Sequence, residues 1–251
     1  MKTVLITGCS SGYGLATARH FLEQGWQVVA TMRTPNAALF PESSRLRLLA
    51  LDVTNAESIA AALAAAGPID VLVNNAGIGG FGAFEATPMA TVREMFETNT
   101  FGTMAMTQAV LPHFRAQGHG LVINVTSSST LAPMPLVAAY TASKVAVEGF
   151  TTSVAHELSE LNIRVKLVIP GYAPSTQFIA NGSARMEGLI TPPYEAYATR
   201  ILTAFATPSA TTQESDVAHV VYEAATDSSG QMHYPAGPDA VQLASAAPAR
   251  A

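Results

Sequence analysis

Short runs of β-branched and aliphatic residues recur along this chain, and between them lie segments of helical length. Thr3–Thr7, Gln27–Met32, Leu46–Leu51, Ile69–Asn74, Gly120–Val125, Arg164–Ile169 and Gln231–Tyr234 read as strands. Gly14–Gln24, Ala56–Ala66, Pro88–Arg115, Tyr140–Leu161 and Glu214–Thr226 read as helices. Gly25 and Gly67 stand where helix C-caps belong, Pro88 suits a first helical turn, and Asn55 or Thr54 can cap the helix before Ala56. Strand and helix in turn specify a parallel sheet covered on both faces. With right-handed crossovers the expected fold is α/β, a Rossmann-like doubly wound sheet of seven parallel strands. No internal repeat or linker divides the chain, so residues 1–251 are expected to form one domain, with a substrate lid over 174–198 and a frayed tail over 244–251.

Composition narrows the partners. The 251 residues are 49% hydrophobic and 12% charged, which calls for extensive burial and a subunit interface. The net charge is −5 and the basic residues are scattered, which excludes nucleic acid as a partner. Cys9 is the single cysteine, so no intramolecular disulfide can form, and its place in a glycine loop suits a small buried filler. The chain reads as cytoplasmic. It begins without a basic region and cleavage signal, and the uncharged run Phe101–Leu111 is closed by Pro112 and His113, which fits a buried helix and no membrane insertion. Histidines at 20, 113, 119, 156, 219 and 233 form no His-x-x-x-His pair and have no cysteine partners, so no metal site is expected.

The stretch TGCSSGYG, Thr7 to Gly14, follows the apolar run Val4-Leu5-Ile6. Its glycines do not fit the P-loop, which needs Lys and Ser/Thr where Leu15-Ala16 stand, nor G-x-G-x-x-G, whose close glycine pair comes first. A glycine turn between a first strand and a first helix aims backbone N–H groups and the positive helix end at an anion. The alternative is an ordinary turn that uses glycine for positive φ.

YTASK places Tyr140 and Lys144 four apart at the start of a helix, on one face. An adjacent ammonium favours the phenolate, which gives a phenol acid/base use near neutral pH. Seven tyrosines and three lysines would produce such a pair by chance only about 0.08 times in a chain of this length. Ser127 ends the strand-like LVINVTSSS, at the carboxyl end of a parallel strand where ligands bind.

Together these motifs resemble the short-chain dehydrogenase/reductase family, in its single-domain T-G-x-x-x-G-x-G branch. The resemblance rests on TGCSSGYG at 7–14, LDVT at 51–54, NNAG at 74–77, Asn99 in ETNTFG, Ser127, YTASK at 140–144 and PGYAPST at 170–176. It implies an oxidoreductase moving a hydride between a nicotinamide cofactor and a carbinol carbon, without a metal. Tyr140 would be the acid/base and Ser127 the donor to the substrate oxygen. Lys144 would lower the Tyr140 pKa and hold the nicotinamide ribose, and Asn99 would hold a water linking Lys144 to solvent. The resemblance also assigns the cofactor to Gly8, Ser10, Ser11, Gly12, Tyr13 and Gly14 in the loop. It adds Asp52 and Val53 at the adenine, then Asn74, Ala76 and Gly77, and then Pro170, Gly171, Ala173 and Ser175. Ser175 stands where the family more often has threonine and Thr176 is next to it, so either hydroxyl could meet the nicotinamide amide. The long helices would pair with their copies in a dimer or a tetramer.

NAD enzymes of this fold offer an acid to the ribose 2′-hydroxyl about twenty residues past the glycines. Here Met32 fills that place and Arg33 follows, which points to the 2′-phosphate of NADP (NADPH) over NAD. The alternative for Arg33 is a solvated loop charge. Phe81, Leu131, Met134, Leu136, Val137, Tyr172, Phe178, Ile179, Met186, Leu189 and Ile190 form an apolar set in the segments expected around the substrate. Such a wall suits an apolar ketone or secondary alcohol.

Overall fold

The computed structural model describes residues 1–174, 176, 182, 185–206 and 210–246. Its strands are β1 (Thr3–Ile6), β2 (Gln27–Met32), β3 (Leu46–Ala50), β4 (Val71–Asn74), β5 (Gly120–Val125), β6 (Ile163–Pro170) and β7 (His233–Ala236). They form one seven-stranded sheet in the order β3-β2-β1-β4-β5-β6-β7, and every neighbouring pair is parallel. The chain begins in the centre, with Val4 paired to Val28 on one side and Val71 on the other. It builds one flank through β3 and then returns to build the other. The resulting reversal beside β1 is where a doubly wound sheet opens a crevice at its carboxyl edge.

The helices are α1 (Gly12–Glu23), α2 (Ala56–Ala66), α3 (Met89–Phe96), α4 (Gly102–Gln117), α5 (Ala138–Ser159), α6 (Pro192–Ala206), α7 (Glu214–Thr226) and α8 (Pro238–Ala246). Alternation along each strand splits the core into two layers. Val4, Ile6, Val28, Val71, Val73 and Ile123 point to one face, where they meet Ala18, Phe21 and Leu22 of α1 and Val217, Val221 and Ala224 of α7. Leu5, Val29, Leu72 and Val122 point to the other, against Ile59 and Ala62 of α2, Met106, Val110 and Phe114 of α4, and Leu158 of α5. Each large aliphatic side chain fully buried in this way contributes about 1.5–3 kcal/mol against the entropy of ordering.

Two expectations need correction. The single helix expected over Pro88–Arg115 is α3 and α4 joined by a π-helical turn, Glu97–Phe101. Pro112 does not close it, because α4 runs through that proline to Gln117 and ends at Gly118 with φ 74°. Within the stretch expected as a substrate lid, residues from Pro192 onward form α6, and α8 runs to Ala246 at the start of the expected tail. The cap expected at Asn55 is present, its side chain accepting from the Ser58 N–H at 2.8 Å. β7 is an outer strand and carries Pro235 opposite Ile169.

Candidate active site

A cleft of about 1180 Å³ opens at the carboxyl ends of the strands. Its floor is the turn from β1 into α1. Gly8 and Gly12 adopt φ of 75° and 54°, the left-handed region open to glycine. A Cβ on Gly8 would lie 2.8 Å from Ala76 Cα, and one on Gly14 would lie 2.3 Å from Gly8 O. Without side chains there, the loop and α1 close onto the β4 end and leave backbone facing the cleft. Ser11 precedes α1 without a side-chain cap, so the helix meets the cleft with its own N–H groups. That is the cradle a pyrophosphate requires.

Thr7 and Asn75 lock the cradle. Thr7 Oγ1 accepts from the Asn75 and Ala76 N–H groups at 3.0 and 2.9 Å. Asn75 Nδ2 donates back to Thr7 O at 2.9 Å and to Gly8 O at 3.3 Å. Cys9 is fully buried, its thiol donating to Ile6 O at 3.2 Å, and burial pushes that thiol up to about 12, as suits a packed filler.

Of the residues expected at the cofactor, Gly8, Ser10, Ser11, Gly12, Tyr13, Arg33, Asp52, Val53, Ala76, Gly77, Tyr140, Lys144, Pro170, Gly171 and Ala173 border the cleft. Gly14 lies beneath it, where it permits the close packing just described. Asn74 does not reach it. Its side chain follows that of Leu72 to the face covered by α4, donating to Asn124 Oδ1 at 2.9 Å and Thr107 Oγ1 at 3.1 Å. Asn75, which the motif reading passed over, borders the cleft instead. Ser175 lies outside the described residues, and Thr176 borders the cleft. In the apolar set, Phe81, Met134, Val137, Tyr172, Met186 and Ile190 border it, Leu131, Leu136 and Leu189 do not, and Phe178 and Ile179 lie outside the described residues.

Ser127 leaves β5 as the cap of the short turn Ser128–Thr130, its Oγ accepting from the Ser129 N–H at 3.3 Å. Across from it, in the first turns of α5, the Tyr140 hydroxyl lies within the influence of the Ser127 side chain, and both residues border the cleft. Lys144, one turn on, is 5% exposed and donates to Val125 O at 3.0 Å. Burial pushes the Tyr140 phenol up to about 12, with Ser127 pulling the other way, and pushes the Lys144 ammonium down to about 8. In this arrangement burial outweighs the expected pull of Lys144 on Tyr140, because the ammonium is turned to a backbone carbonyl.

Asn99 is fully buried inside the π-helical turn. Its Oδ1 accepts from the Ile78 N–H at 2.8 Å, and its Nδ2 donates to Ile78 O and Ser143 Oγ, both at 2.9 Å. It thus ties the loop after β4 to α5. A Cβ on Gly77 would lie 3.2 Å from Asn99 Oδ1 and 3.3 Å from Lys144 Nζ, so a glycine there leaves room between the two side chains.

At the other end of the cleft, Arg33 follows β2 and Asp52 follows β3. Asp52 accepts from the Thr54 N–H and hydroxyl at 2.9 and 2.7 Å, and these bonds, helped by Arg33, hold its carboxyl below the ordinary value. An ion pair missed in the sequence spans the rim, with Arg185 Nη2 2.8 Å from Glu94 Oε1. Among the described residues no group of three or more His, Cys, Asp or Glu is placed to hold a metal, and no helix is long and apolar enough to cross a membrane.

Residues 2–186 match the short chain dehydrogenase family. A 3-ketodihydrosphingosine reductase of Bacteroides thetaiotaomicron is 40% identical over 174 residues, covering 68% of this chain. The match spans less than two thirds of that relative's own length, 63%. A short-chain dehydrogenase from Streptomyces avermitilis superposes with a TM-score of 0.81 at 30% identity, covering 98% of this chain and 92% of its own. The closed form of a serine dehydrogenase complexed with NADP+ superposes with a TM-score of 0.78 at 26% identity, covering 94% and 95%. By sequence match and by fold, the chain belongs to the short chain dehydrogenase family.

Proposed function

We propose that this protein is an NADP-dependent oxidoreductase, a carbonyl reductase or secondary alcohol dehydrogenase for apolar ketones and alcohols, acting as one catalytic domain in the cytoplasm. The observation that carries the reading is the convergence of Ser127, Tyr140 and the buried Lys144 on one wall of the cleft. When bound, the nicotinamide supplies or accepts the hydride. The chain's part is orientation and proton handling. In reduction the Tyr140 hydroxyl gives its proton to the carbonyl oxygen as negative charge develops there, and Ser127 donates a hydrogen bond to the same atom. In oxidation Tyr140 takes that proton back.

Lys144, with its ammonium near 8, is a proton exchanger at neutral pH and the holder of the nicotinamide ribose. Asn99 faces it across Gly77, which supports a water held between them. NADP in place of NAD is supported by Arg33 at the cleft and by the lack of an acid after β2. The cofactor of the serine dehydrogenase superposed above is in accord. The apolar substrate is supported by Phe81, Met134, Val137, Met186 and Ile190 along the cleft. Phe101 and Val145, 52% and 47% exposed on the α4 and α5 side, support a homo-oligomer formed there.

The test is NADPH consumption against a panel of apolar ketones, with NADPH binding measured in parallel. Turnover lost in Tyr140→Phe with NADPH binding kept is the expected result. Binding without turnover on any ketone would replace the enzyme reading with that of a regulatory NADP-binding protein.

A further inference from the structure

Gly171 and Tyr172 carry the chain out of β6 along the rim of the cleft. Loops there ordinarily leave part of their backbone to water. In this dipeptide all four backbone polar groups have partners from distant parts of the chain. The Gly171 N–H donates to Ala236 O at 3.0 Å, and Tyr172 O accepts from the Thr212 N–H at 2.9 Å. Gly171 O accepts from the Tyr13 hydroxyl at 3.1 Å, and the Tyr172 N–H donates to Asp239 Oδ2 at 2.6 Å.

Asp239 is fixed in turn. The Thr212 hydroxyl, fully buried, donates to Asp239 Oδ1 at 2.5 Å. A Cβ on Gly171 would lie 2.1 Å from Asp239 Oδ1, and one on Gly237 would lie 1.9 Å from Thr212 Oγ1, so the two side chains fill the room that these glycines leave. Neither Thr212 nor Asp239 borders the cleft, and both lie beyond the stretch that matches the family.

We propose that Asp239 and Thr212 are positioning residues for the dinucleotide, holding Gly171 and Tyr172 at the nicotinamide end of the cleft before it binds. The inference rests on the dinucleotide reading given above. The end concerned follows from the register. Val125 pairs with Val168, so the end of β6 lies beside Ser127, whereas Arg33 and Asp52 follow β2 and β3 on the opposite flank. A preformed loop avoids the cost of ordering at the moment of binding, and the benefit falls on the reacting half of the ligand alone.

The experiment compares equilibrium binding of NADPH with that of 2′,5′-ADP, which carries the adenosine half only, in wild type, Asp239→Ala, Asp239→Asn and Thr212→Val. Asp239→Ala is expected to weaken NADPH about tenfold, the scale of one lost hydrogen bond, and to leave 2′,5′-ADP within about twofold. Asp239→Asn keeps an acceptor and falls between. Thr212→Val moves NADPH in the same direction as Asp239→Ala. A folded Asp239→Ala that binds NADPH like wild type overturns the proposal, and so does an equal loss of both ligands, the mark of a merely structural role. Should Asp239→Ala not fold, Thr212→Val decides by the same two criteria. Wild type that binds neither ligand overturns the dinucleotide reading and the clamp with it, whereas wild-type binding with unchanged variants overturns the clamp alone.

Discussion

Lys144 carries an ammonium in a buried site, with its pKa pushed down from 10.5 to about 8. Below pH 8 it is charged folded and unfolded, and the folded state bears the whole penalty, about 3 kcal/mol for such a shift. The penalty is relieved as pH rises from 8 through 10.5, where the unfolded state binds the extra proton. Lys144→Met removes it and leaves Val125 O without a donor, which costs about 1–2 kcal/mol. Denaturant unfolding at pH 7 should therefore show the variant more stable by about 1–2 kcal/mol, with the gain gone by pH 10.5, while turnover is lost. A loss of stability at pH 7 would mean that Lys144 is better satisfied than its burial implies. Tyr140 gives a second pH dependence. Its phenol, pushed up to about 12, is protonated through the neutral range. Steady-state kcat/KM should then climb with pH for alcohol oxidation, which needs the base, and stay flat for ketone reduction.

At the scale of elements, the side chain of Asn99 makes three of the bonds that anchor the π-helical turn Glu97–Phe101. Asn99→Ala would strip a partner from the Ile78 N–H, Ile78 O and buried Ser143 Oγ at once. The expected loss is about 2–4 kcal/mol in urea unfolding, with turnover falling as Lys144 and α5 lose their tie to the β4 loop. This turn shows where the sequence was legible and where it was not. Strands and helices were readable because alternation and caps are local. β2, β5, α2 and α7 fall on their expected bounds. The interruption of the long helix was not readable from its period, which runs through it, because the bond partner lies twenty-one positions away at Ile78; only the resemblance of Asn99 to the family's helix-bending asparagine pointed to it. β7 came out two residues later than expected, its bounds set by pairing with β6 more than by its own short apolar run. The choice between Asn74 and Asn75 was legible in principle. Asn74 shares the parity of Leu72 along β4 and so had to turn away from the loop, leaving Asn75 for the cleft. Ser127, Tyr140 and Lys144 were legible as a motif, but the Gly171-Tyr172 clamp was not, because its partners come from residues 13, 212, 236 and 239.

For the molecule as a whole, the sheet order sets β2 and β3, the side proposed for the adenosine, apart from β4 to β6, the side proposed for the reaction. Specificity for the cofactor should therefore be separable from chemistry. Arg33→Asp is expected to raise the KM for NADPH far more than that for NADH and to leave kcat with saturating cofactor nearly unchanged; steady-state kinetics with both cofactors check this, and equal effects on the two would count against the 2′-phosphate contact. Association is a second whole-molecule property. Phe101→Asp combined with Val145→Asp should lower the mass measured by light scattering to that of one chain, if the exposed pair lies in the subunit contact.

The outer strand bears on the same question. Met232 O and Ala236 O accept from β6, so the intervening Pro235 turns its nitrogen to the open side of the sheet. A ring nitrogen there has no hydrogen to offer an incoming strand, and on a strand of four residues that leaves little to template on. The β7 edge is therefore a poor template for a second copy, and the other outer strand, β3, carries no such proline. Growth of the sheet into fibrils is disfavoured at the β7 edge.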